Sequence, residues 1–135
     1  MTHNEELLLK DLCSRLPYGV KVEIYNHWRD EYEDETLTLE NYAELIKTFS
    51  IEDIKPYLFP LSSMTDEQYE EFKMISGLDI DLNLIKQGEF SLIENVAIDC
   101  IVDAIDWFNE NHFDYRELIL LKLAKDATNL NIYQL

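Results

Sequence analysis

SIEDIKPYLFPLSSMTDEQYEEF, residues 50–72, is the stretch whose reading decides the fold. Pro56 and Pro60 bracket Tyr57, Leu58 and Phe59. Each proline lacks an N–H and turns the residue before it away from the α region. The piece therefore reads as extended, with three large side chains free to pack between neighbouring elements. A helix opens directly afterwards. Thr65 and Gln68 have the spacing of a capping box, and Asp66 and Glu67 place negative charge at the positive end of the helix dipole. An extended connector that docks a helix is the centre of the chain.

On its N-terminal side, Leu8, Leu12 and Leu16 recur every four residues, with Leu9 and Cys13 widening the stripe. This predicts a helix over 4–16, which Pro17 ends and Tyr18-Gly19 turns. Val20, Val22 and Ile24 alternate with Lys21, Glu23 and Tyr25, as in a half-buried strand. Residues 26–35 show neither period. Five of the six residues from Asp30 to Glu35 are acidic, so a solvated loop or hairpin tip is expected. Thr36 to Leu39 alternate again and suggest a second strand. Tyr42, Leu45, Ile46 and Phe49 have helical spacing, so 41–48 reads as helix.

On the C-terminal side, the helix over 65–76 is closed by Gly77. Leu78 to Leu84 alternate like a strand, and Gly88 interrupts them. Ser91 with Glu94 repeats the capping-box spacing. It opens the longest predicted helix, with Ala97, Ile101, Ala104, Ile105 and Phe108 as its apolar face and Asn111-His112 at its end. Asp114 is read as the cap of a last helix running to about Lys125. The elements add up to an α+β fold: a small antiparallel sheet with an N-terminal helix and three further helices packed on it, in one domain over 1–135.

Composition narrows the function. The chain is 47% hydrophobic with eight Tyr, six Phe and two Trp, which suits a folded protein. Eleven basic residues stand against twenty-eight acidic ones, for a net charge of −17. That charge disfavours direct binding to nucleic-acid phosphates and to anionic membranes. No apolar run approaches the roughly 18 residues of a membrane span, and the acidic N-terminus lacks the features of a signal peptide. A cytoplasmic protein with Cys13 and Cys100 reduced and buried is the expectation.

Four blocks carry a resemblance: LLLKDLCSRLPYGVKVE at 7–23, IEDIKPYLFPLSSMTDEQ at 51–68, IDWFNENHFDYRELI at 105–119 and LAKDATNLNIY at 123–133. Together they resemble a family of small proteins carried by temperate phages and integrated elements of gut anaerobic bacteria. The resemblance implies a phage or mobile-element setting and brings no activity or site residue with it. The chain departs from the family pattern at Glu117, where a glycine is usual, and over 25–48 and 75–100.

Several chemistries find little footing. Asp79, Asp81 and Asn83 imitate the start of an EF-hand loop, but Leu84 replaces its glycine and Phe90 its bidentate glutamate. Ser62 and Ser63 lack a nucleophile elbow. No P-loop, dinucleotide fingerprint or zinc spacing occurs. No catalytic, cofactor or metal residues are assigned. The aromatic group Trp107, Phe108, His112, Phe113, Tyr115 and Arg116 reads as a joint between packed elements, set against Tyr57 and Phe59, with Arg116 paired to a carboxylate.

Two acidic groups remain as candidate protein-binding residues. One is Asp30, Glu31, Glu33, Asp34 and Glu35. The other is Asp99, Asp103, Asp106 and Glu110, whose spacings of four, three and four place them on one helix stripe. The expectation is an acidic accessory protein that binds another protein, in its concrete form a modulator of a host nucleic-acid-handling protein. The alternatives are an enzyme or metal-dependent catalyst, with His27 or His112 brought to carboxylates in a pocket, and a self-associating structural component. A solvated helix face is the plain alternative for the second acidic group.

Overall fold

The computed structural model describes residues 1–90 and 96–133. Helix α1 (His3–Arg15) starts where the Thr2 hydroxyl accepts from the Glu5 N–H at 3.1 Å. Leu8 and Leu12 are buried, as their spacing predicts. Leu16-Pro17-Tyr18 forms a 3₁₀ turn, and Gly19, at φ +66°, swings the chain into strand β1 (Lys21–Asn26). Val22, Ile24 and Asn26 face inward along it.

The acidic segment departs from expectation. Glu31–Thr36 is a strand, β2, paired antiparallel with β1 from Lys21↔Thr36 to Asn26↔Glu31. Backbone pairing and cross-strand contacts outweigh the poor strand propensity of its acids. The Tyr25 and Tyr32 rings lie 5.0 Å apart, and Asn26 donates to Glu33 at 3.2 Å. The alternation at 36–39 marks the end of this strand rather than a strand of its own. Leu37 N–H still donates to the Val20 carbonyl, and Thr38 and Asn41 then exchange side-chain-to-backbone bonds. Helix α2 (Tyr42–Thr48) follows, as its spacing suggests.

The proline-framed stretch is strand β3 (Ile54–Pro60), at the middle of the sheet. Its first half pairs antiparallel with β1, through Ile24↔Ile54 and Val22↔Pro56. Its second half pairs in parallel with two short C-terminal strands: β4 (Phe113–Asp114) at Phe59 and Pro60, and β5 (Lys125–Asp126) at Tyr57 and Leu58. A central strand ordinarily excludes proline. Here the strand changes partner beside Pro56, so the missing N–H interrupts no continuous ladder.

Helix α3 (Asp66–Ser76) carries the complete capping box: Thr65 Oγ1 accepts from Gln68 N–H at 3.2 Å, and Gln68 Oε1 accepts from Thr65 N–H at 2.8 Å. Gly77 ends it at φ +72°. The strand expected over 78–84 is absent. Asp81 accepts from Asn83 N–H at 2.9 Å and caps a short helix, α4 (Leu82–Lys86). A local side-chain bond of this kind offers the backbone a partner that an unpaired strand lacks.

Helix α5 (Ile98–Glu110) begins after Ala97. The expected capping box at Ser91 and Glu94 lies outside the described residues. The buried face of α5 is Ala104, Trp107 and Phe108, whereas Ile101 and Ile105 of the expected face are exposed. The last helix predicted from Asp114 does not form. The Asp114 carboxylate accepts from Leu118 N–H at 2.8 Å and Ile119 N–H at 2.9 Å, four and five residues on. That is the reach of a wide turn, and left-handed backbone at Glu117 and Lys122 breaks any helix there.

Two buried clusters hold these elements. Leu8, Leu12, Val22, Ile24, Ile54 and Leu58 join α1 to the sheet. Phe72, Trp107, Phe108 and Phe113 join α3, α5 and β4. In the second, Trp107 stacks on Phe113 at 5.5 Å and Phe72 on Phe108 at 5.1 Å, while Trp107 Nε1–H donates to Glu71 at 3.0 Å. The tail is tied down by Tyr133. Its ring stacks on His112 at 3.7 Å, and its hydroxyl accepts from Lys21 N–H and donates to the Tyr57 carbonyl.

Glu117 sits at φ +60°, a region that costs a side-chain-bearing residue about 1–2 kcal/mol. Glycine there loses about 0.5–1 kcal/mol in chain entropy. Glu117→Gly is therefore expected to stabilise the protein by roughly 0.5–1 kcal/mol. A urea titration that gave unchanged or lower stability would reject this.

Candidate functional site

The two acidic groups occupy different parts of the molecule. One lies on β2, an edge strand of the sheet, and in the turn before it; the other runs along α5.

On β2 the carboxylates are largely engaged within the chain. Asp30 accepts from the Tyr25 hydroxyl, and Asp34 accepts from the Tyr57 hydroxyl at 2.8 Å. Arg29 lies 3.8 Å from Glu31 and 3.9 Å from Glu33, which also accepts from Asn26. Of the five, Glu35 has no such partner among the described residues. Burial, with the Asp34 hydrogen bond and the Glu23 charge behind it, raises the Tyr57 pKa well above the ordinary phenol value. Charged side chains along an open strand edge also block edge-to-edge pairing with another chain. This role needs no partner.

The α5 row differs. Asp99, Asp103, Asp106 and Glu110 are exposed, and none has a hydrogen bond or ion pair among the described residues. Three successive like-charge pairs at helical spacing cost about 0.2–0.5 kcal/mol each. Asp106 and Glu110 also lie toward the negative end of the helix dipole. The field of the row reaches its neighbours: burial first, then Asp106 and Glu110, raises the Tyr18 pKa. At 1.5 Å rise the four charges span about 16 Å, one per roughly 5.5 Å. A DNA strand carries one per about 3.4 Å, so the row is sparser than a phosphate backbone.

Beside this row α5 exposes apolar side chains. Ile98 is 77%, Val102 48%, Ile101 41% and Ile105 38% exposed. Ile101 and Ile105 border an apolar cleft of about 220 Å³ walled by Phe72, Ile80, Phe90 and Phe108. Ile101 and Ile105 belong to the apolar face that the sequence predicts to be buried, and Ile98 and Val102 lie outside that predicted face. The wheel of 98, 101, 102 and 105 carries the signal, since an apolar arc that wide exceeds what one neighbouring helix covers.

The histidines are separated. His27 lies on the β1–β2 turn, 2.9 Å from Asp53 and mostly exposed. His112, buried, shares the wall of a cleft of about 650 Å³, lined by both polar and apolar groups, with Tyr18, Lys21 and Glu110. Burial, then the Arg15 charge, lowers the His112 pKa to about 4, so the imidazole is neutral at pH 7. It makes no hydrogen bond to Glu110, and no carboxylate orients it among the described residues. Among those residues no group of three His, Cys, Asp or Glu side chains could hold a metal ion. Cys13 and Cys100 are free thiols, but Cys13 is exposed and Cys100 half-buried rather than both buried. Cys13 Sγ lies 3.1 Å from the Tyr42 hydroxyl.

A buried ionic network went unread in the sequence. Asp11 and Arg15, both fully buried, form a two-point pair at 2.9 and 3.2 Å. Arg15 also donates to the Phe113 carbonyl at 2.7 Å, and Arg116 reaches Asp11 at 2.9 Å, the carboxylate partner expected for it. The i,i+4 spacing of Asp11 and Arg15, beside the leucine stripe, was the available clue.

No helix among the described residues is long and apolar enough to cross a membrane. Compared with protein-family models, curated proteins and solved structures, the chain matches none.

Proposed function

We propose that this protein acts by binding another protein, with α5 as its binding face. One observation carries the reading: four exposed carboxylates stand in a row without partners among the described residues, at a cost to their own helix, while the acids of β2 are mostly paired within the chain. A basic protein surface is the complement of such a row. The concrete partner is a nucleic-acid-handling protein, whose binding groove is cationic. The phage or mobile-element setting implied by the resemblance fits a modulator of a host protein of that kind. The sparse spacing of the row favours occlusion of a basic groove over charge-for-charge imitation of a strand.

The reading is tested by replacing the row with Asp99→Asn, Asp103→Asn, Asp106→Asn and Glu110→Gln together. Exposed ion pairs contribute about 0.2–1 kcal/mol each, so losing four should weaken partner affinity by between roughly fourfold and several hundredfold. Immobilised wild type should retain a basic protein from host lysate at low salt and release it at high salt or on addition of duplex DNA. The fourfold variant should not retain it. Equal capture by the variant would dismiss the α5 row, and indifference to DNA would dismiss the nucleic-acid-handling partner.

A further inference from the structure

At about 100° per residue, the circumference of α5 divides into three arcs. Trp107, Ala104 and Phe108 face the body and are buried. Ile101, Ile105, Ile98 and Val102 come next, all four exposed, and the same arc ends toward the C-terminus at the buried Asn109. Asp106, Asp99, Glu110 and Asp103 complete the turn. The apolar arc continues well beyond what the other described residues cover. The cleft bordered by Ile101 and Ile105 opens at its side, and about 220 Å³ is ample for one large apolar side chain, since an apolar cavity of about 150 Å³ takes up benzene.

We infer that this shoulder of α5 seats a cationic amphipathic helix of the partner protein. Apolar residues of that helix, at i, i+3, i+4 and i+7, lie along Ile98, Ile101, Val102 and Ile105. One large side chain enters the cleft, and its Lys and Arg residues reach the acidic row. This rests on the protein-binding reading above and adds what anchors the partner. Charge selects the occupant. A second copy of this chain, with a net charge of −17, would set one row of four carboxylates against another, whereas a basic helix pairs with it. At 13 residues α5 is about 20 Å long, which matches a partner helix of three to four turns.

The test uses two fluorescent synthetic helical peptides of about four turns. One has Leu at i, i+3, i+4 and i+7 and Lys elsewhere. The other has Ser in place of every Leu, at the same charge. The leucine peptide should bind the full chain at least tenfold more tightly than the serine peptide and keep part of its affinity at high salt. The double variant Ile98→Ser, Val102→Ser should abolish that advantage while its far-ultraviolet circular dichroism stays unchanged, because both side chains are exposed. Equal binding by the two peptides, or an advantage that survives the double variant, overturns the apolar seat and leaves the acidic reading standing. Failure of both peptides to bind overturns both. Self-association of the wild type by sedimentation, lost in the double variant, would overturn the choice of a basic helix over a second copy.

Discussion

Replacing Arg15 with alanine is expected to lower folding stability by about 3–5 kcal/mol, the cost of leaving a buried ion without its partner. Arg15 and Asp11 are both fully buried, and Arg15 also holds the Phe113 carbonyl at the start of β4. Arg116 is the remaining cation on Asp11 and is itself partly exposed. The native pair is not ideal either, because Arg15 Nη1 has no hydrogen-bond partner among the described residues. An orphaned buried donor costs about 1–3 kcal/mol. The double replacement Asp11→Leu, Arg15→Met removes both charges and that orphan, and Arg116 can turn to water. It should therefore be less destabilising than Arg15→Ala alone. Urea denaturation checks both variants. A loss below about 1 kcal/mol for Arg15→Ala, a surface-pair magnitude, would show that the pair does not carry the joint between α1 and β4.

Acidification should destabilise the fold through His112. The folded imidazole remains neutral down to about pH 4, chiefly because it is buried and secondarily because of Arg15. In the unfolded chain it takes up a proton near pH 6.5. Between those values the unfolded state binds more protons, so stability rises with pH across the window. The contribution is fully present above about pH 6.5 and is lost as pH falls toward 4. Its size is on the order of 3 kcal/mol. Asp114 works in the opposite sense: burial raises its carboxyl pKa, so protonation at low pH favours its folded form. The test is His112→Asn, which removes the titration and tolerates the left-handed backbone at this position, φ +62°. Between pH 7 and pH 4.5 the wild type should lose about 2–3 kcal/mol more than the variant. Equal losses would remove His112 from the account.

Local chemistry was readable in the chain, and the choice of partners was not. The Thr65–Gln68 box, Gly77 and the alternation of Val22 and Ile24 each depend on neighbours within a few residues, and the elements they mark formed where expected. Leu78 to Leu84 carried an equally regular alternation, yet no strand among the described residues pairs with it, and Asp81 accepts from the Asn83 N–H instead. Asp114 has the side chain of a helix cap, and only the left-handed backbone at Glu117 shows why its bonds close a turn. The centrality of β3 depended on residues 113–126, which no local pattern linked to it. The candidate acids were legible as charges. Their division into the β2 set, mostly paired within the chain, and the α5 set, unpaired among the described residues, required the fold, as did the exposure of Ile98 and Val102 beside them.

The parallel edge of β3 has a consequence for the order of events during synthesis. Strands β1, β2 and β3 lie within the first 60 residues, so the antiparallel half of the sheet can assemble as soon as that length has emerged. The other edge of β3 is completed only by residues up to Asp126. About 66 residues of further elongation separate the two, roughly 3–13 s at about 5–20 residues per second. For that interval the nascent chain carries Tyr57, Leu58 and Phe59 on an open strand. Pro56 and Pro60 lack the N–H groups that a passing strand would need there, so the same two residues that frame the strand also limit adhesion while it waits.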